Sequence, residues 1–265
     1  MQIQAKSLAP LVKESSGKII LFLSPHFDDV VFSCAGLLHF LHLIDAKPVW
    51  ATVFSSGVKK PTGFALECQT SKGIPEYLNY MEIRFCEDIE CAKFLKASSP
   101  IRLGFLEAPY REYTSPDMLF GPIRKEDLII TLPEIEAHLS KLINNLDPNI
   151  VFAPLGLGHH VDHRIINKAI CAVSKRRKII FYAESPYILK CSAKALRKLT
   201  TNKNAYYYDV QDLELIRTTA YSFYRSQLGF QLKSIGTLKD LSTKSAKRSA
   251  TLYTCKSKAA ELYYI

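Results

Sequence analysis

The chain has 265 residues, 48% hydrophobic and 23% charged, and its 35 Lys and Arg outnumber 25 Asp and Glu for a net charge of +10. That composition excludes whole-chain disorder and is enough for one sizeable core, while the basic balance attracts anions in general without selecting nucleic acid, for which no arginine-rich arm or basic–aromatic block is present. Seven cysteines with no Cys-x-x-Cys spacing exclude a disulfide framework and a zinc knuckle; together with the lack of a secretory signal order and of any apolar run near the roughly 20 residues that span a bilayer, they lead to the expectation of a cytoplasmic protein without integral membrane association.

In chain order, Lys18–Leu23 reads as a short buried strand and Leu37–Ile44 as an apolar helix that stops near Asp45-Ala46-Lys47-Pro48. Val49–Phe54 is the next strand, closed by Ser55-Ser56-Gly57. Residues 58–78 read as loop with one helical turn, Tyr80–Lys96 as helix and Ile101–Phe105 as strand. Glu107–Gly121, rich in aromatics and turn formers, is a long loop of the kind that is often functional. Leu128–Leu146 is a helix with apolar positions at Leu132, Ile135, Leu139 and Leu142 or Ile143; Asn149–Ala153 is a strand, Val161–Ser174 a helix and Lys178–Ala183 a strand. The last eighty or so residues are less regular, with a strand at Tyr206–Val210, a long helix at Leu213–Leu232 and a lysine-rich tail ending in Leu-Tyr-Tyr-Ile. Alternating strands and helices over the first 185 residues predict an α/β fold, a mostly parallel sheet with helices on both faces. We expect one domain over residues 1–265, with an irregular elaboration from about 185 to 265.

Ligands bind outside the carboxyl ends of strands in such sheets. Two strands end in polar clusters: Ser24-Pro25-His26-Phe27-Asp28-Asp29 after the first, and Pro154 to His163 ("PLGLGHHVDH") after the strand at Asn149–Ala153. If these strands are neighbours, His26, Asp28, Asp29, His160, Asp162 and His163 share one rim. Two imidazoles and a carboxylate suit catalytic zinc, which keeps one position open. His26 and Asp29 are three residues apart and His163 is the third candidate ligand. Asp28, beside the metal, is placed to take a proton from water, and Asp162 to hold an imidazole tautomer. The blander reading of Asp28-Asp29 is a helix N-cap. His39-x-x-His42, which lies in the apolar helix and away from any loop, reads as ordinary histidine. No phosphate-binding loop, dinucleotide fingerprint or Gly-x-Ser-x-Gly elbow is present.

These residues resemble the LmbE/PIG-L metal-dependent deacetylases. "SPHFDDVVFSCAG" is similar to their His-Pro-Asp-Asp-Glu region and "GHHVDHRII" to their His-x-Asp-His motif. "RFCE" (Arg84–Glu87), "LEAPYR" (Leu106–Arg111), "YAESPY" (Tyr182–Tyr187), "YRSQ" (Tyr224–Gln227) and "AAELYY" (Ala259–Tyr264) carry the resemblance through almost the whole chain. It implies a Rossmann-like fold and hydrolysis of an N-acetyl group on an amino sugar, free or nucleotide- or lipid-linked, with zinc or in its place iron(II) or manganese(II). It also implies His26, Asp29 and His163 as metal ligands, Asp28 as general base, His160 as oxyanion stabiliser with Asp162 behind it, and Arg84, Glu107, Arg111 and Glu184 as substrate contacts. Phe27 and Val30 replace the usual proline and glutamate, and Glu107 stands for the usual aspartate. The competing readings are a basic binding protein without chemistry and a metal-dependent amidase acting on a non-sugar amide.

Overall fold

The computed structural model describes residues 4–173, 177–253 and 255–265. In chain order the elements are β1 (Lys6–Ser7), α1 (Ala9–Lys13), β2 (Ile19–Ser24), α2 (Asp29–Leu43), β3 (Lys47–Ser56), α3 (Gly63–Thr70), α4 (Tyr80–Leu95), β4 (Ile101–Leu106), α5 (Pro116–Leu119), α6 (Leu132–Leu146), β5 (Ile150–Pro154), α7 (Val161–Val173), β6 (Lys178–Tyr182), α8 (Ala193–Leu199), β7 (Ala205–Asp209), α9 (Glu214–Ser222), α10 (Arg225–Leu232), α11 (Leu238–Leu252) and β8 (Ala260–Tyr264). The strands form one sheet in the order β1-β7-β8-β6-β5-β2-β3-β4. All neighbours are parallel except β8, which runs antiparallel to both β6 and β7. The expected α/β architecture, mostly parallel and covered on both faces, is what forms.

Alternation along the central strands sorts the core into two layers, since successive strand side chains point to opposite faces. Ile20 and Phe22 of β2 pack with α2, with Cys91 and Leu95 of α4 and with Tyr221 of α9. Leu21 and Leu23 pack on the other face with Ile135, Leu139 and Ile143 of α6 and with Ile165, Ile166 and Ile170 of α7. The apolar stripe at Ile135, Leu139 and Ile143 is the one the periodicity predicts.

Four elements differ from expectation. The second helix begins at Asp29, inside the polar cluster, eight residues before the predicted Leu37. Residues 63–70, read as loop with one turn, make the two-turn α3. The predicted helix Leu213–Leu232 breaks between α9 and α10, where Tyr224 leaves helical geometry (φ −86°, ψ 53°) and buries its side chain. The tail, read as irregular, supplies α11 and the inserted strand β8. Ser174, the expected last residue of α7, lies outside the described residues. Among the described residues no helix is long and apolar enough to cross a membrane.

The feature that positions the site is the β2–β5 pair. From β2 the chain proceeds outward to β3 and β4, and from β5 outward the other way to β6, so strand order reverses between them. Such a switch point opens a crevice above the strand ends.

Candidate metal centre

Two short loops deliver the polar side chains. After β2, Ser24 Oγ accepts the Val30 N–H at 3.2 Å, which ties the strand end to the first turn of α2. Asp28 occupies the N-cap position, yet its carboxylate makes no capping bond, so the bland N-cap reading does not describe it. Asp29 follows as the first helical residue, at the electropositive end of α2, and its Oδ2 accepts the His26 N–H at 2.9 Å. After β5, Gly156, Gly158 and His159 all adopt positive φ. Gly158 also has the Tyr187 ring where a Cβ would sit, 2.3 Å away, so only glycine allows the turn. The chain then enters α7 with Asp162 and His163 in its first turn. Glu184, just beyond β6, accepts the Gly156 and Leu157 N–H groups at 2.7 and 3.1 Å and holds this turn from behind.

The loops meet at His26. Its Nδ1 lies 3.1 Å from Asp29 Oδ2 and its Nε2 2.9 Å from Asp162 Oδ2. His163 Nε2 is 3.3 Å from the same Asp29 oxygen, and its Nδ1 is 3.2 Å from Glu184 Oε1. The ring centroids of His26, His160 and His163 are mutually 5.0–5.4 Å apart. His26, Asp29 and His163 could hold a metal ion, their ligand atoms lying within 4.8 Å of one another; a second such grouping, His26, His160 and Asp162, shares His26. Neither includes His39 or His42. His163 Nε2 is buried, and the Asp29 oxygen 3.3 Å away does not meet it in hydrogen-bond geometry, which leaves an orphan that a cation would satisfy.

The electrostatics follow from burial and pairing. Burial works against charge on His26, but hydrogen bonds to Asp162 and Asp29 prevail and raise it to about 10. His163, likewise opposed by burial, is raised to about 9 by Asp29 and Glu184. Burial would raise Asp29, yet His163 and His26 hold it well below the carboxylate range. Asp28 is pushed up by burial and by the charge of Asp29, with Arg84 pulling it back from 3.8 Å. His160 is pushed down by burial to about 3 and is neutral at pH 7. Its Nδ1 accepts the Asp162 N–H at 3.3 Å, which leaves the ring proton on Nε2.

The family model described as PIG-L, GlcNAc-PI de-N-acetylase, matches residues 21–174, more than half of the chain and both loops. The chain belongs to the PIG-L family. It is 29% identical over 188 residues to a 2'-N-acetylparomamine deacetylase of Niallia circulans, covering 64% of this chain and 68% of that one. It is 27% identical over 171 residues to an enzyme of the same name from Streptomyces fradiae, covering 63% of this chain and 57% of that one. Among solved structures, the zinc-inhibited form of the teicoplanin deacetylase Orf2 superposes with a TM-score of 0.79 over 93% of this chain and 97% of that chain, at 21% identity; that likeness is one of fold.

On this PIG-L scaffold a cavity of about 380 Å³ opens above the strand ends, with His26, Asp28, Asp29, Arg84, Glu107 and His160 among its lining residues. Arg84 and Glu107, the expected substrate contacts that line it, form a buried ion pair with each other. Arg111 and Glu184 do not line the cavity. Arg111 is held behind it by Asp127 at 2.9 Å and Asp162 at 2.7 Å, and Glu184 is fully buried against the glycine turn. Both charges are engaged in orienting other residues of the site. Asp162 was expected behind His160; its carboxylate instead faces His26, Arg111 and the Ala108 N–H. Sequence reasoning missed Phe64 and Cys68 of α3 and Lys72 just beyond it, which line the cavity from a segment without a motif. Phe120 lies in the aromatic loop flagged as functional, and Gln227 in "YRSQ"; neither was singled out.

Proposed function

We propose that this chain is a metal-dependent hydrolase that removes the acetyl group from an N-acetylated amino sugar, giving acetate and the free amine. The observation that carries the reading is the orphaned His163 Nε2 beside Asp29 and His26, with Asp28 and His160 lining the same cavity. The names of the acetylparomamine deacetylases support an amino-sugar substrate.

His26, Asp29 and His163 would hold the divalent cation, and two imidazoles with one carboxylate suit zinc, with iron(II) or manganese(II) as substitutes. When bound, the cation supplies Lewis acidity to the acetamide carbonyl and to water. The imidazoles must ligate unprotonated, so binding competes with the protons that the neighbouring carboxylates favour on His26 and His163 and weakens in acid.

Asp28 is the general base. Burial and Asp29 raise its proton affinity above that of an ordinary carboxylate, and the Arg84 charge pulls it back in part. It takes one proton from water as the oxygen attacks the carbonyl carbon. The oxyanion that forms accepts a hydrogen bond from His160 Nε2–H. His160 donates here as the neutral imidazole, since burial disfavours its protonated form. Collapse re-forms the carbonyl and breaks the C–N bond, and the proton held on Asp28 passes to the leaving amine. Asp162, charged and fixed by Arg111 and the Ala108 N–H, orients His26.

Asp28→Asn tests the assignment. The variant is expected to bind metal as the wild type does and to release acetate at least about a hundredfold more slowly. Near-normal acetate release would remove Asp28 from the chemistry, and amine release without acetate would make the enzyme an amidase of another kind.

A further inference from the structure

The segment Tyr224–Gln227 takes no part in the chemistry proposed above, yet Gln227 lines the cavity with 4% of its surface exposed. Its amide orientation follows from a chain of hydrogen bonds. The Glu87 carboxylate accepts both the Ser226 N–H at 2.8 Å and the Ser226 Oγ–H at 2.6 Å. The single hydroxyl proton of Ser226 is thereby spent, so Oγ can only accept from its other neighbour. That neighbour, 2.9 Å away, is Gln227 Nε2. The second amide proton goes to Tyr80 OH at 2.7 Å. Tyr80 OH also accepts from Lys72 Nζ at 2.6 Å, which keeps it an acceptor toward the glutamine. Both donors of Gln227 are therefore used, and among the described residues Oε1 accepts no hydrogen bond.

We propose that Gln227 is a specificity residue whose Oε1 accepts the proton of a sugar hydroxyl on the substrate. The proposal rests on the amino-sugar reading of the site. A ring hydroxyl, and not the reacting acetamide, is the donor because Arg84 stands between. Its guanidinium lies 3.8 Å from Asp28 and 5.1 Å from the ring centroid of Tyr80, the residue to which Gln227 donates. The run of contacts from Gln227 through Tyr80 reaches Asp28 only by way of Arg84, which sets Gln227 apart from the reacting amide. An acceptor locked in this way in the cavity wall penalises any ligand that covers it without bringing a donor, and so it discriminates more than it attracts.

The probes are methyl N-acetyl-glucosaminide and a set of analogues each lacking one hydroxyl, assayed by acetate release, with calorimetry of the corresponding free amines as an independent readout. With wild-type protein, one analogue is expected to lose about tenfold in kcat/KM and in amine affinity. Gln227→Leu is expected to lose about tenfold on the parent and to show no further loss on that analogue. Gln227→Met, of closer length, serves if the leucine variant has a lowered Tm. The assignment is overturned if either variant keeps the wild-type ratio between parent and every analogue, or if the wild type treats all analogues alike. Amine binding with the expected pattern but no acetate release would sink the reaction and leave Gln227 standing; release without the pattern would do the opposite; neither binding nor release would sink both.

Discussion

At the β2–β5 seam the chemistry is made by side chains that are near one another in sequence within each loop: His26 meets Asp29 three residues on, and Asp162 and His163 share one helical turn. The C-terminal region works differently. Its buried polar groups reach elements far away in the chain. Glu261 of β8 accepts the Gly36 and Leu37 N–H groups in the middle of α2, 225 and 224 residues away. Tyr224 donates to Asp88 of α4 at 2.7 Å, and Ser226 to Glu87. Helix α2 carries Asp29, and α4 carries Arg84. On the reaction proposed above, the seam selects the chemistry, and the C-terminal region holds the helices that present it. Variants in the two regions should therefore separate activity from stability.

The largest effect is expected at the seam. His163→Ala removes one candidate ligand and leaves Glu184 still held by two backbone donors, so the turn survives. Removing an outer partner of a metal ligand costs 10- to 100-fold in affinity, and loss of the ligand itself should exceed about a hundredfold. Elemental analysis should find the protein depleted of metal and acetate release at background, with a small change in Tm. Full metal stoichiometry in this variant would contradict the assignment, and with it the division between the regions.

That division also explains what the sequence made legible. Apolar strands alternating with amphipathic helices were readable because each pattern is local, and so were the two clusters after β2 and β5, each a contiguous run. Their convergence depended on β2 and β5 being neighbours, which the reading took as a condition and the sheet order satisfies. The partners of Arg111 and Glu184 were not legible because a lone charged residue does not reveal its partner: Asp162 lies 51 residues from Arg111, and the Gly156 N–H lies 28 from Glu184. Helix α3 was hidden by its flanking Gly63 and Gly73, which read as loop. Strand β8 was hidden because its place, antiparallel between β6 and β7, is set by pairing across the chain and not by its own five residues.

An intermediate effect is expected at Glu261. Gly36 leaves no room for a side chain, since a Cβ there would meet Val210 at 2.4 Å and the Glu261 carboxylate at 3.0 Å. The carboxylate also takes the Tyr263 hydroxyl at 2.9 Å. In Glu261→Gln an amide NH₂ would face one of these donors, and a buried donor without an acceptor costs about 1–3 kcal/mol. The expected fall in Tm is roughly 3–10 °C, with metal retained and acetate release reduced by less than about tenfold. Loss of metal together with an unchanged Tm would make Glu261 part of the site and not of its support.

The smallest effect on turnover, and the one with a sign that can be checked, concerns Asp88. It is buried beneath α4, accepting from Tyr224 OH at 2.7 Å and Thr52 Oγ1 at 3.1 Å. Burial pushes its carboxyl up to about 8, the hydroxyl donors pulling back only in part. In the unfolded chain the group titrates near its ordinary value of about 3.9. Between those values the native protein binds more protons than the unfolded one, so stability is fully present in acid and declines as pH rises toward 8, by at most about 1.4 kcal/mol per pH unit. That slope is roughly 3–5 °C of Tm per unit. Asp88→Asn, which cannot ionise, lacks it. The Tm of the wild type minus that of the variant should therefore fall steadily from pH 5 to pH 8, while turnover at pH 7 changes by less than about threefold because Asp88 does not line the cavity. A difference that stays flat across this range would mean that Asp88 is ionised in the native protein, its charge satisfied by Tyr224 and Thr52. A collapse of turnover with no change in Tm would place α4 among the parts that perform the reaction.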